Sequence, residues 1–493
     1  MRVRPTLFVP FILTAHILLA QPAVRFEEYF RDIGLRIDFY QTGDAKEETF
    51  TVDRMYKEPV WSGSTGDLVN PIEIGRYLVK VYDVASNRLI YSWSFDCIFG
   101  EYKTTSPALK GVQRTFNRSF HIPFPKRQAL VAIEVRDSTH HPHPLTMFEI
   151  NPTDFHIITE STDNHDIVLR PLVNGDPHDK ADLVFVGEGY TEAEKDKFRD
   201  DVDRFTGYLF DTEPFASHKR DFNIYGILRP SAESGVDEPR NGSFRKTTLG
   251  ASFDAFDLDR YLLMDEGKRL REIAAQVPYD AIVILANSKR YGGGGIYNDY
   301  CISTVDNPAS RMVFVHEFGH AFAGLADEYY SSDVAYNDFY PKGIEPLEPN
   351  ITALLNPAEV KWKDLLSPGI EIPTPYGKDV IDSLQAEIAR NNKAMNAALE
   401  EERKSGGSER EKTDLQDRYK ARGKELSRAM DSVRAQFKSL EDKVGAFEGA
   451  GYTTKGLYRP MMYCLMIRHP RNEFCRVCQE AIKKAIGYYT GAK

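Results

Sequence analysis

Between about Val24 and Asn151 the chain alternates apolar and polar residues in short runs: LRIDFYQ, ETFTVDRMY, GRYLVKVYD, LIYSWSFDCIF, RSFHIPFP and QALVAIEVRD. Turn residues separate them. A period of two buries one side of each run and exposes the other, and such runs in succession predict an antiparallel β-sandwich over residues 24–155. A domain of this kind more often binds or shields than catalyses. His140, His141 and His143 follow a strand beside two prolines and read as an exposed loop, not a metal site.

From Leu169 the period changes. ADLVFVGEGYT is a buried strand, and Ala193–Leu209 places Phe198, Val202, Phe205 and Leu209 at helical spacing. Asn223–Leu228 and Asp280–Ala286 are further strands, separated by a helical stretch over Leu258–Ala275. Strands alternating with helices predict an α/β lobe. Tyr291–Tyr297 (YGGGGIY) is too glycine-rich for a normal strand, and its glycines leave room for a substrate backbone to approach an edge strand. A phosphate-binding loop is disfavoured, since no Lys-Ser/Thr follows and no helix opens there.

Residues 378–444 form a charged insert. Leu384, Ile388 and Met395 mark one helix, and Tyr419, Leu426, Met430, Val433, Phe437, Leu440 and Val444 make a heptad-like stripe on a second. Lys404–Thr413 (KSGGSEREKT) is a turn between them, which predicts an antiparallel helical hairpin. Such an arm docks a partner, covers an active site, or packs on itself as a solvated decoration.

The chemistry is concentrated in Val315–Tyr330, VHEFGHAFAGLADEYY. His316 and His320 stand one helical turn apart and can grip one metal ion, and Gly324 ends the helix. Glu317 stands where a carboxylate takes the proton of a water whose pKa Zn²⁺ has lowered, as the hydroxide attacks a carbonyl. A catalytic zinc takes three protein ligands. Asp327, three residues past the Gly324 turn, is the expected third, Glu328 its close rival, and Glu345 or Glu348 remoter ones.

Length and charge narrow the class. A chain of 493 residues predicts two or three domains, 42% hydrophobic residues suffice for real cores, and a net charge of −10 argues against a nucleic-acid surface. Arg2 and Arg4 precede the apolar stretch Leu7–Ala20, so residues 1–20 read as an export signal; the product is secreted, periplasmic or held at the cell surface. No other segment can span a membrane. Among five cysteines, Cys464, Cys475 and Cys478 cluster near the C-terminus. Export makes a disulfide within that cluster plausible, and a staple or buried thiols beside the active-site turn are favoured over a second zinc site using the three with His469, because one CxxC is a weak signal.

Four separated motifs, VFVGEGYT at Val184–Thr191, HEFGHAFAGLADEY, EGAGYTTKGLYRP at Glu448–Pro460 and the C-terminal CLM…FCRVC, resemble the IgA peptidase family of secreted bacterial zinc metallopeptidases related to the metzincins. The resemblance runs from about Val168 to the C-terminus, and the preceding region is similar to that family's β-rich N-terminal domain. It implies a zinc endopeptidase with His316 and His320 as ligands, Glu317 as general base, and an acidic third ligand from Asp327–Glu328. This chain has one residue more before its glycine than metzincins have. Metzincins also carry a methionine in a tight turn beneath the metal; Met466 is preferred here and Met462 is the other candidate. Tyr463 or Tyr458 can offer a phenol to an oxyanion.

The expected architecture is therefore a multidomain α+β protein: an N-terminal β-sandwich, then an α/β metzincin-like peptidase domain over residues 160–493 with the helical hairpin inserted. The expected function is a secreted Zn²⁺ endopeptidase acting on a protein or glycoprotein. The alternative is a surface glycoprotein-binding protein that keeps the peptidase scaffold with little turnover. An intact HExxH favours the first.

Overall fold

Strands β1 (Phe30–Gly43), β2 (Glu48–Glu58), β5 (Arg114–Pro125) and the short β8 (Ile158–Thr159) form one sheet in the order β5-β1-β2-β8. A second sheet has the order β4-β3-β6-β7, from β3 (Tyr77–Asp83), β4 (Arg88–Phe95), β6 (Ala129–Arg136) and β7 (Pro142–Ile150). The ladders are antiparallel except that between β2 and β8. The computed structural model describes residues 23–159, 166–330, 339–406, 408–467 and 472–491. The signal reading of residues 1–20 and the His469 alternative therefore lie outside the described residues.

Alternation places Leu35, Ile37 and Phe39 of β1 and Val79 and Val81 of β3 in one shared core. Phe95 and Phe120 meet across the two sheets with ring centroids 6.4 Å apart. The run LIYSWSFDCIF stops being a strand at Phe95, because the Asp96 carboxylate turns back to accept the Arg76 amide at 2.8 Å. Short helical turns follow or precede the strands: α1 (Phe26–Tyr29), α2 (Ile98–Tyr102) and α3 (Ser106–Leu109). His141 and His143 are exposed and His140 is half-buried, and His143 lies within β7 and not in the turn before it; its Nε2 sits 2.7 Å from Asp137.

A six-stranded sheet follows, ordered β15-β16-β14-β10-β11-β9. Its members are β9 (Ile167–Leu172), β10 (Ala181–Glu188), β11 (Phe222–Leu228), β14 (Ala281–Ala286), β15 (Gly293–Ile296) and β16 (Tyr300–Thr304), with the pair β12 (Ala251–Ser252) and β13 (Leu263–Met264) beside it. The central pairings are parallel and both edge pairings antiparallel. Fully buried parallel strands are apolar on both sides, and here the two sides go to different places. Leu183, Phe185, Val283 and Leu285 pack with Phe198, Val202, Phe205 and Leu209 of α4 (Lys195–Phe210). Val184, Val186, Ile282 and Ile284 pack instead into the core of the N-terminal sheets. That core is continuous, so the N-terminal sheets form a wall of the α/β lobe.

Two expectations are corrected. Within Leu258–Ala275 only Gly267–Ala274 is helical (α5). Leu262, Leu263 and Met264 are consecutive buried residues, and β13 pairs with β12, so burial on both sides overrides the local helical pattern. The glycine-rich segment is a strand after all, since Gly293–Ile296 is the antiparallel edge β15.

The insert forms the paired helices α7 (Lys378–Ser405) and α8 (Glu409–Gln436). The second helix stops at Gln436, so Leu440 and Val444 of the stripe lie beyond it. Met430, Val433 and Phe437 seat its root against Tyr376, Ile381, Phe447 and Met462. Strands β17 (Phe447–Ala450) and β18 (Thr453–Arg459) and helix α9 (Arg476–Thr490) complete the chain. Among the described residues, no helix is long and apolar enough to cross a membrane. Of the two readings of the C-terminal cysteines, the structure has buried thiols and not a disulfide: Cys464, Cys475 and Cys478 are free, and the Cys464 and Cys478 sulfurs stand 3.6 Å apart, against ~2.05 Å for a bond.

Candidate metal centre

Helix α6 (Ser310–Ala323) carries the HExxH motif and is apolar on nearly every side, with Val313, Phe314, Phe318, Phe322 and Ala323 buried. Such a helix must be packed all round. The edge strand allows this on its side only through missing side chains. A Cβ on Gly295 would lie 2.3 Å from the Glu317 carbonyl oxygen and 3.1 Å from His320 Cβ, and one on Gly293 would lie 2.6 Å from Val313 Cγ1. The glycines of YGGGGIY therefore let the motif helix lie directly on the strand. Gly324 closes the helix in the left-handed region, with φ +59°, and its amide bonds the His320 carbonyl at 3.0 Å.

The imidazoles are held from behind. His316 Nδ1 is 3.1 Å from the Leu465 carbonyl oxygen, and His320 Nδ1 is 2.5 Å from that of Leu325. A carbonyl only accepts, so each Nδ1 carries the proton and each Nε2 is left with a lone pair. The two Nε2 atoms are 3.1 Å apart, and Asp327 Oδ1 lies 3.1 Å from one and 3.3 Å from the other. With both rings neutral, three lone pairs converge with no donor among them, and Asp327 Oδ1 is a buried oxygen with no other hydrogen-bond partner. Adjacent vertices around a tetrahedral zinc with bonds of about 2.0–2.1 Å are separated by roughly 3.3 Å. The donor set fits that ion. The Glu317 carboxylate stands beside the pair, with an oxygen within 4.8 Å of both histidine donor atoms.

Asp327 reaches the imidazoles because its loop is tied on both sides. Asn350 accepts the Ala326 amide at 2.7 Å and donates to the Ala326 carbonyl at 2.9 Å, while the Glu328 amide bonds the Met466 carbonyl at 2.8 Å. The second Asp327 oxygen accepts from the Tyr452 hydroxyl at 2.5 Å. The rivals are elsewhere. Glu328 turns away and accepts from Asn350 Nδ2 at 3.0 Å, Glu345 accepts the Ala353 amide at 3.0 Å, and Glu348 accepts from the Tyr340 hydroxyl at 3.2 Å.

Met466 is fully buried beneath the motif helix, where a Cβ on Gly319 would meet its sulfur at 3.2 Å. It sits in a turn closed by the Ile467 amide on the Cys464 carbonyl at 3.1 Å. Met462 packs instead at the root of the hairpin. The tyrosines expected near the metal are not there. Neither Tyr458 nor Tyr463 lines the cavity, because the first lies on β18, bonded to Thr352, and the second packs by the hairpin root. The phenols at the site are Tyr452 and Tyr329, the latter stacked on His316 with centroids 6.5 Å apart. Sequence reasoning missed both, although each lies within a motif it had singled out, EGAGYTT and ADEYY.

The motif opens into a cavity of about 730 Å³. Helix α6 and β15 line it, together with Arg260 and Tyr261 and with Arg76, Asp96 and Glu101 from the ends of β3 and β4 and from α2. Burial pushes the Glu317 carboxyl up, against the pull of both histidines. Burial also lowers the basicity of His320, but the Asp327 charge outweighs it and pushes the imidazole up to about 9. For Asp327, burial raises the carboxyl, and His320 and His316 together overcome it and hold the group well below the usual carboxylate range. A cation, whether protons or a metal, is what this cluster is built to hold.

The model of the family described as IgA Peptidase M64 matches residues 171–486, and that of the Peptidase M64 N-terminus matches residues 25–145. No curated protein matches the chain.

Proposed function

The chain belongs to the IgA peptidase M64 family, and on that footing we propose that it is an exported zinc-dependent endopeptidase that cleaves proteins or glycoproteins. The observation that carries this reading is the convergence of His316 Nε2, His320 Nε2 and Asp327 Oδ1 within 3.1–3.3 Å at the floor of an open cavity. These three residues would hold a zinc ion, which would supply Lewis-acid chemistry toward a water and the scissile carbonyl. Glu317, next to His316 and lining the same cavity, accepts the proton of the attacking water and passes it to the departing amine. Its raised pKa suits both halves of that transfer. Tyr452 holds Asp327 in place, and the Leu465 and Leu325 carbonyls keep each Nε2 free of a proton.

Beside the helix, β15 is the edge strand of its sheet; Tyr261 bridges it at Gly293, and Gly293, Gly295 and Ile296 line the cavity, where an extended peptide can lie along it. The metzincin-like placement rests on the Met466 turn under the helix together with the HExxH and Asp327 set. Export rests on the apolar stretch Leu7–Ala20 after two arginines.

The test is Glu317→Gln in the purified chain, assayed on casein with and without a zinc chelator. Cleavage should fall by ~10²–10⁴-fold while the metal content is retained. Cleavage unaffected by the substitution or by the chelator defeats the proposal.

A further inference from the structure

On the far side of the loop from the histidines lies a second cluster that the peptidase chemistry does not use. Cys464, Cys475, Cys478 and Glu328 are all buried, and their four donor atoms lie within 4.8 Å of one another. The Cys464 and Cys478 sulfurs are 3.6 Å apart, and Glu328 Oε1 is 3.1 Å from Cys478 Sγ and 3.8 Å from Cys475 Sγ. We propose that these four side chains form a second, structural zinc site.

Two of the separations match one ion, and the third, Glu328 Oε1 to Cys478 Sγ at 3.1 Å, is a hydrogen-bond distance that opens when the thiol proton leaves. Around a tetrahedral zinc with Zn–S bonds of about 2.3 Å and Zn–O of about 2.0 Å, neighbouring donors stand roughly 3.5–3.8 Å apart. A disulfide serves the cluster worse. It would need two sulfurs at ~2.05 Å, leave the third thiol over, and do nothing for the carboxylate. Glu328 is fully buried, and its Oε2 has no hydrogen-bond partner. A buried carboxylate with one oxygen unpartnered is destabilising, and a divalent cation among soft donors offsets that.

The backbone around the cluster is arranged for thiolates. Cys475 is the N-cap of α9 and Cys478 lies in its first turn, so the free amides and positive end of the helix face the sulfurs. The Cys475 amide already donates to Cys464 Sγ at 3.2 Å. Binding displaces the remaining thiol protons to solvent, so the ion's affinity is also folding energy.

Position gives the site its purpose. Glu328 follows Asp327 directly, and Cys464 precedes Leu465, whose carbonyl orients His316. One ion would therefore tie together the loop bearing Asp327, the turn bearing Met466 and the C-terminal helix. It is a positioning device for the peptidase centre, not a catalytic one.

Metal analysis and zinc-edge X-ray absorption on the purified chain and on its His316→Ala/His320→Ala form test this. The doubly substituted protein should keep one zinc per chain in a sulfur-rich shell at about 2.3 Å, and Cys475→Ser/Cys478→Ser should lose that ion. Should the cysteine variant fail to fold, the histidine variant decides alone. A histidine variant without sulfur-bound metal at excess zinc, or a disulfide among the three cysteines in peptide mapping, overturns the proposal. Equal zinc content in the parent and the histidine variant, all of it sulfur-bound, would leave this site standing and remove the metal from the peptidase centre instead.

Discussion

Asp327 and Glu328 are neighbours in sequence with opposite destinations: Asp327 Oδ1 lies 3.1 Å from His316 Nε2, and Glu328 Oε1 lies 3.1 Å from Cys478 Sγ. The Glu328 amide, bonded to the Met466 carbonyl at 2.8 Å, pins the backbone between them, so that one carboxylate enters the open cavity and the other the closed core.

That division separates two isosteric substitutions. Asp327→Asn removes the anionic donor facing both imidazoles and should strip zinc from the histidine pair, with loss of peptidase activity. Glu328→Gln keeps the bond from Asn350 and should leave zinc on the histidines. The nitrogen- and oxygen-bound share of the zinc, read by zinc-edge X-ray absorption after dialysis against a weak chelator, reports both. Retention by Asp327→Asn would mean that the third donor lies elsewhere.

Tyr452→Phe deletes only the hydroxyl that bonds Asp327 Oδ2. Outer partners of this kind are worth about 10–100-fold in metal affinity. Competition with a fluorescent zinc indicator should show a loss of that size with the circular dichroism spectrum unchanged. An unchanged affinity would assign the hydroxyl no part in holding Asp327.

Gly295→Ala adds a Cβ 2.3 Å from the Glu317 carbonyl oxygen, a backbone atom that cannot swing aside. The helix must shift off β15, at a cost of ~1–3 kcal/mol. Urea unfolding should record that destabilisation, and activity should fall further than stability accounts for, since His320 moves with the helix. Wild-type stability and activity would show that the helix is not seated as described.

Stability should also fall with rising pH through the Asp182–Asp280 pair. Burial pushes Asp182 up to about 8, and burial together with the Asp182 charge holds Asp280 above its ordinary value. A raised carboxyl stabilises the fold fully below the unfolded value near 4, and the gain drains away as pH climbs toward 8, at up to ~1.4 kcal/mol per pH unit for each titrating group. Asp182→Asn can keep the bond from Asn223 Nδ2, at 2.8 Å in the parent, without the charge. Denaturant midpoints between pH 5 and 8 should decline less steeply in the variant, and parallel slopes would refute the assignment.

Much of this molecule can be read along the chain. The alternating runs Leu35–Gln41 and Leu78–Tyr82, the α4 positions Phe198, Val202, Phe205 and Leu209, and the Gly324 cap are local patterns, and local patterns report local structure. The glycine strand misled because composition suggests weak pairing, whereas the need was for a helix to approach within contact of the backbone. Tyr452 escaped because its partner, Asp327, is far away in sequence and is brought beside it by two backbone bonds, the Gly451 amide on the Asp327 carbonyl and the Tyr452 amide on the Tyr329 carbonyl, each at 3.0 Å.

The family, the helix that carries the HExxH pair and the residue types able to hold an ion were determined by the sequence alone, because helical spacing places His316 and His320 together whatever surrounds them. The fates of Asp327 and Glu328, the gathering of the cysteines around a buried carboxylate, and the use of the N-terminal sheets as a cavity wall were decided only by tertiary structure. Each depends on which buried charge finds a partner across the core, and that is a property of the packed chain, not of any segment of it.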